Sequence, residues 1–212
     1  MAQRTIHYLF GEMISRQTQI RDKKRFLLGS ILPDAIDTAN RNLSHFKIET
    51  DTHKYFDFES FRNRYFQQIL QDDLYLGYYM HLVEDAFYRD FFYNSSLPMP
   101  RVREEVKYLH QDYHILNAYI VQKYQLKNIL GTSFPLSNTP ILDLTTFFID
   151  PFLAELSHDF IEQTQGQTTF LTEALLDQFI ARFLPLAIEE VDSVQKGTSL
   201  LKATDFAWPA NR

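Results

Sequence analysis

The sequence predicts an all-α fold, a single compact multi-helix domain spanning residues 1–212, on three observations. Glycine is scarce, at 6 residues in 212. Long windows carry apolar side chains at three- and four-residue spacing, the repeat that lines one face of a helix, whereas the period-two alternation of a half-buried strand is hard to find. The composition, 45% hydrophobic and 23% charged, is that of an ordinary globular chain long enough to bury a core without disulfides.

The elements follow in order. A first helix is expected from Thr5 to about Gln17. A second is expected from about Asp22 to Leu32, stopped by Pro33, whose ring disfavours helix in the residue before it; Asp34 then sits at a helix end. Ala35 to Lys54 mixes Asp, Asn, Thr and Ser with weak periodicity and reads as an irregular connection. Asp57 is an N-cap for a helix through Leu70, and the next helix runs from Asp72 to about Tyr93 with Leu76, Tyr79, Met80, Val83 and Phe87 on its apolar side. After the break at Asn94 to Pro100, a helix is expected from about Val102 to Tyr124. A second break near Gly131 to Asn138 leads to helices over about Leu142 to Gln163 and Thr169 to Lys196, which Pro151 and Pro185 should kink or divide. Ala203 to Arg212 is read as a tail that packs on a partner or frays.

A formal net charge of −6 gives no global positive field for nucleic acid, so no nucleic-acid partner is expected. With no cysteine there is neither a disulfide nor a thiolate metal site, and any metal must be held by imidazole and carboxylate. No transmembrane segment is expected, and the N-terminal stretch lacks a long apolar core and a small-residue cleavage site, which reads as a cytoplasmic location. The bulky aromatic inventory, 19 Phe and 12 Tyr, suits packed helices and pocket walls alike.

The chemistry is concentrated in a few places. His81-Leu-Val-Glu-Asp85 puts an imidazole and a carboxylate four residues apart on one helix face, where both can reach one cation. A buried histidine satisfied by an aspartate one turn away is the structural alternative. Gly77, a turn earlier, lets another chain approach closely. His7 lies in the first helix with Gly11 one turn on, Asp34 at a helix end and His45 in the following loop. His110, Asp112 and His114 are further ligand candidates, set against the reading of an amphipathic helix with two surface histidines; His53 reads as a polar loop residue. Arg89, and behind it Lys54, Arg62 and Arg64, are candidates for a phosphate contact, since a guanidinium pairs well with phosphate oxygens; a solvated helix face is the alternative.

His7, the LLGSILPD run ending at Asp34, SHF at His45 and GYYMHLVED from Gly77 to Asp85 occur in the order found in zinc-dependent phospholipase C proteins. The chain resembles that family over about its first half. The resemblance implies a helical domain of the phospholipase C/nuclease type and metal-ligand roles for His7, Asp34, His45, His81 and Asp85. Three features depart from the secreted enzymes of the family: there is no N-terminal Trp ligand, no further His follows Asp85, where Asp90 is only a loose substitute, and His110-Gln-Asp-Tyr-His114 stands where they carry an HxxxE pair. One or two zinc ions, or other divalent transition metals, are therefore expected rather than a three-zinc cluster.

The activity expected is hydrolysis of a phosphate ester, phospholipase C-like, with metal-activated water as nucleophile. Asp34 is the catalytic candidate, orienting that water as ligand or general base. The aromatics around Tyr78, Tyr79, Phe87 and Tyr88 line a cleft or, on the plainer reading, pack the core. The partner is a small phosphate ester or a phospholipid head group. Two alternatives stay open: a non-catalytic helical protein that keeps a structural metal, and a phosphohydrolase built on the His158-Asp159 doublet.

Overall fold

The computed structural model describes residues 2–94, 97–100, 102–136, 141 and 147–210. The chain is mostly helical, with α1 (Arg4–Ser15), α2 (Lys23–Gly29), α3 (Arg41–Ser44), α4 (Phe58–Arg64), α5 (Phe66–Gln71), α6 (Asp73–Tyr93), α7 (Val106–Lys123), α8 (Ile149–Asp159) and α9 (Glu173–Gln195). The expected start of a helix at Leu142 lies outside the described residues, as do the last residues of the 131–138 break and of the C-terminal tail.

The central element is α6. Asp72 caps it by accepting from the Leu74 N–H, and nearly every side chain along it is buried, as a helix surrounded on all sides must be. Helix α2 crosses it with the two backbones in contact. A Cβ added at Gly77 would lie 2.1 Å from the Phe26 carbonyl oxygen, and one at Gly29 would lie 2.1 Å from that of Leu74. Only hydrogen fits at this crossing, so the glycines set how close the chain after α2 comes to the polar face of α6.

The all-α expectation needs correction, because a small antiparallel sheet is present. Its strands, in spatial order, are β1 (Lys47–Glu49), β2 (His53–Phe56) and β3 (Trp208–Pro209). The first two lie inside the stretch expected to be irregular and the third in the C-terminal tail, which folds back onto its own domain: the Ala210 N–H donates to Thr52 O, and the Ala203 N–H to Glu59 Oε2. Strands of two to four residues are too short for alternation to register in a sequence.

Neither proline divides its helix. Pro151 falls in the first turn of α8, where no helical partner exists for an N–H, so it starts the helix instead of dividing it. Helix α9 continues from Glu173 to Gln195 through Pro185. Both Pro185 and Ala181, whose carbonyl loses its donor, are exposed, so that carbonyl is left open to solvent and not buried unpaired. The expected helix from Asp57 to Leu70 is two helices, α4 and α5, with a turn at Tyr65. No helix among the described residues is long and apolar enough to cross a membrane.

Candidate metal centre

Four segments bring their polar residues to one point in the core. Helix α1 supplies His7, the tight 3-10 turn Leu32–Asp34 after α2 supplies Asp34, the end of α3 supplies His45, and α6 supplies His81 and Asp85 one turn apart. The three imidazoles are at most 1% exposed and Asp85 is fully buried. The His45 Nε2 lies 3.2 Å from the His81 Nε2. Asp85 Oδ2 is 3.6 Å from the first and 3.7 Å from the second. The His7 Nε2 is 3.6 Å from Asp85 Oδ1 and 3.8 Å from Asp34 Oδ2, and its ring stacks on that of His81 at 3.9 Å. Donor atoms of His7, Asp34 and His81, and of His45, His81 and Asp85, form two overlapping groups, each of a size to hold one ion, with His81 common to both.

The other ring nitrogens fix the protonation. The His81 Nδ1–H donates to the Ser30 carbonyl at 2.8 Å, and the His45 Nδ1–H to the Arg41 carbonyl at 2.8 Å. A carbonyl can only accept, so in each neutral ring the proton sits on Nδ1 and Nε2 is a bare lone pair. With both rings neutral, two such lone pairs face each other across 3.2 Å, beside a carboxylate oxygen with no donor of its own, and the His45 Nε2 also lies 3.4 Å from Asp34 Oδ1. Repulsion between them is relieved by a cation placed among them. His7 is tied in the same manner, its Nδ1–H donating to Glu84 Oε2 at 2.8 Å. An imidazole whose far nitrogen is anchored to oxygen is the usual arrangement of a metal-binding histidine. Among the buried polar atoms with no hydrogen-bond partner are His7 Nε2, Asp85 Oδ2 and Glu84 Oε1. The residues present therefore fit a divalent metal held by nitrogen and oxygen.

The electrostatics agree. Burial pulls His81 down to about 3, helped by the neighbouring charge of His7, so it is neutral and free to bind. Burial also opposes a charge on His7, yet Glu84 above all, with Asp85 and Asp34, holds it up at about 9. Burial alone would raise Asp34 and Asp85. The imidazoles around them, His45 foremost for Asp34 and His7 for Asp85, keep both below the usual carboxylate range. Without a metal, His7 is the cation that the two carboxylates gather round.

Asp34 sits where the cluster meets the surface. Its side chain is 6% exposed, Arg41 donates to its Oδ1 at 2.6 Å, and it lines a cleft of about 540 Å³. Arg4, Tyr93, His110, His114 and Phe152 line the same cleft.

The remaining candidates lie apart from this cluster. His110 and His114 are on the cleft wall, but Asp112 is turned into the core, where its carboxylate accepts the N–H groups of Thr169, Phe170 and Leu171 at 2.7–2.9 Å. His114 instead meets Glu162, with Nδ1 and Oε2 3.0 Å apart. His158 is exposed, while Asp159 is buried and held by Arg4 at 2.6 Å, so the doublet does not act as a unit. Tyr78, Tyr79, Phe87 and Tyr88 are fully buried and pack the core. His53 is exposed on β2. Arg62 and Arg64 belong to α4, and Arg89 packs between the rings of Tyr93 and Trp208.

Glu84 and Arg41 were not singled out from the sequence. Glu84 is adjacent to Asp85 and three residues after His81, a spacing that places it on the same side of a helix, and this was a usable signal. Arg41 gives none, because its role depends on how the loop folds. Compared with protein-family models, curated proteins and solved structures, the chain gives no match.

Proposed function

We propose that this protein is a metal-dependent hydrolase of phosphate esters, phospholipase C-like, with a helical domain of the phospholipase C/nuclease type. The observation that carries the reading is the pair of Nε2 atoms of His45 and His81, 3.2 Å apart in rings whose Nδ1 atoms are both anchored to carbonyls, with the orphaned Asp85 Oδ2 beside them. His7, His45, His81 and Asp85 would hold one or two ions, zinc or another divalent transition metal. Such an ion, when bound, supplies Lewis acidity toward a phosphoryl oxygen and makes water a stronger acid.

The chain's own residues divide the remaining work. Asp34, which lines the cleft with Oδ1 engaged by Arg41, would orient a water and accept its proton on Oδ2. Glu84, Ser30 and the Arg41 carbonyl hold the three imidazoles in the tautomer that leaves Nε2 free. The cleft beside Asp34 is large enough for a small phosphate ester or a phospholipid head group.

The test is elemental analysis of the untagged protein together with turnover of bis(p-nitrophenyl) phosphate and p-nitrophenylphosphorylcholine. We expect stoichiometric metal that is lost in both His81→Ala and Asp85→Ala, with hydrolysis lost alongside it. Absence of metal after reconstitution with zinc, manganese and nickel sinks the reading. Metal without turnover of any ester leaves a structural ion in a helical scaffold.

A further inference from the structure

Arg41 also lines a second, smaller pocket of about 220 Å³, which reaches His45 from another side and is walled by Lys47, Lys54, Arg89 and Trp208. The sheet explains how these side chains meet. Lys47 pairs with Phe56 across β1 and β2, and Lys54 pairs with Trp208 across β2 and β3. Residues two apart on a strand share a face, so Lys47, Lys54, Phe56 and Trp208 lie on the same side of the sheet. Arg89 comes from α6, one turn beyond Asp85, and so continues the helix face that carries His81 and Asp85.

The charges gathered there lack a full set of protein partners. Arg89 packs 4.0 Å from the Tyr93 ring centre and 4.8 Å from that of Trp208, which orients its guanidinium, and its Nε is buried with no hydrogen-bond partner. Its neighbour Asp90 turns away to Arg182, at 3.4 Å. Among the described residues, neither Lys47 nor Arg89 has a carboxylate within ion-pair distance. Lys54 has Glu49 at 3.0 Å, but the Glu49 side chain is 55% exposed, so that contact is a solvated one. In a chain whose net charge is −6, four cationic side chains around one small pocket are not a by-product of composition.

We propose that this pocket binds a phosphate monoester group. An oriented guanidinium and two ammonium groups offer several donors to the three terminal oxygens of a dianion, whereas a carboxylate would occupy fewer of them. Because the pocket reaches His45, a ligand seated there places the rest of its body beside the centre proposed above. The substrate is then a molecule that carries a phosphate monoester in addition to the ester that is cleaved. This link to the substrate rests on the hydrolase reading; the anion site itself does not.

The test is isothermal titration of the full-length protein with inorganic phosphate, as purified and again after chelation. Expected is binding that survives chelation, weakens about tenfold in Lys47→Met and in Lys54→Met, and is restored in Lys54→Arg. The methionine variants keep the apolar stem of the side chain, and circular dichroism checks that they fold. Binding that vanishes on chelation belongs to the metal centre and overturns the pocket assignment while leaving the hydrolase reading intact. Binding unchanged in both methionine variants, or no binding, also overturns it. Cosedimentation with phosphatidylcholine vesicles containing phosphatidic acid, compared with phosphatidylcholine alone, tells the source. A Lys54-dependent difference assigns a phosphorylated lipid; phosphate binding without cosedimentation assigns a soluble ligand.

Discussion

At Asp112 and Glu190 the fold meets a buried carboxylate with its own donors. Asp112 is 1% exposed and accepts the N–H groups of Thr169, Phe170 and Leu171. Glu190 is fully buried and takes bonds from the hydroxyls of Tyr79 and Ser199 and the N–H groups of Leu200 and Leu201. Around Asp85 the same kind of burial is treated in the opposite way. Its Oδ1 receives the Ala2 N–H, but its Oδ2 has no hydrogen-bond partner and lies 3.6 and 3.7 Å from the Nε2 atoms of His45 and His81. A chain able to saturate Asp112 and Glu190 is able to saturate Asp85 as well. Leaving its Oδ2 without a donor, among three histidines anchored at their far ends, is costly unless a cation beyond the His7 imidazolium completes the set.

The largest expected effect breaks the saturated side of the comparison. Asp112→Ala removes the acceptor of three backbone N–H groups and should destabilise the fold by roughly 3 kcal/mol. For a chain of this length that corresponds to a fall in Tm of about 10 °C. Metal content should be unchanged, because Asp112 touches none of the clustered residues. Differential scanning calorimetry with elemental analysis checks both halves; loss of metal in this variant would mean that Asp112 is coupled to the centre after all.

Part of the side-chain cluster is legible in the sequence because its spacing is local. The HxxxD step on α6 needs only helical periodicity, and Asp72 and Asp57 are caps that the sequence announces. Gly77 was readable as a point of close approach, and α2 is the chain that approaches it. What was not readable depends on distant segments meeting. His110-Gln-Asp-Tyr-His114 resembles a ligand set in spacing, yet residues 169–171 claim its aspartate. The sheet is assembled from strands too short to show a pattern, one of them near the far end of the chain. Arg41 on Asp34 and Trp208 against Arg89 are contacts of the same non-local kind.

A smaller effect sharpens the unsaturated side. Glu84 touches no ion in the proposed arrangement; it positions His7 through the 2.8 Å bond to Nδ1. Glu84→Gln keeps an acceptor oxygen but removes the charge, and should weaken metal binding about tenfold without abolishing it. Competition against a chromophoric chelator measures this. Unchanged affinity would reduce Glu84 to a packing residue, and complete loss would make it a ligand.

The smallest effect is a slope. In the metal-free protein burial disfavours a charge on His7, but Glu84 and the neighbouring aspartates hold its pKa at about 9, so near neutral pH the ring is protonated on both nitrogens. Metal must displace the proton on Nε2. The sign follows from the raised pKa: below about 9, each unit of rising pH should strengthen binding about tenfold, and above it the dependence should flatten. His81, already neutral with a pKa of about 3, adds nothing to the slope in this range. Glu84→Gln removes the largest of the charges that hold His7 up, so its plateau should begin at lower pH. Chelator competition at about pH 6, 7 and 8 in both proteins measures the two slopes. A flat profile in the wild type would place the displaced proton elsewhere and take His7 out of the ligand set, leaving His45, His81 and Asp85 as the centre.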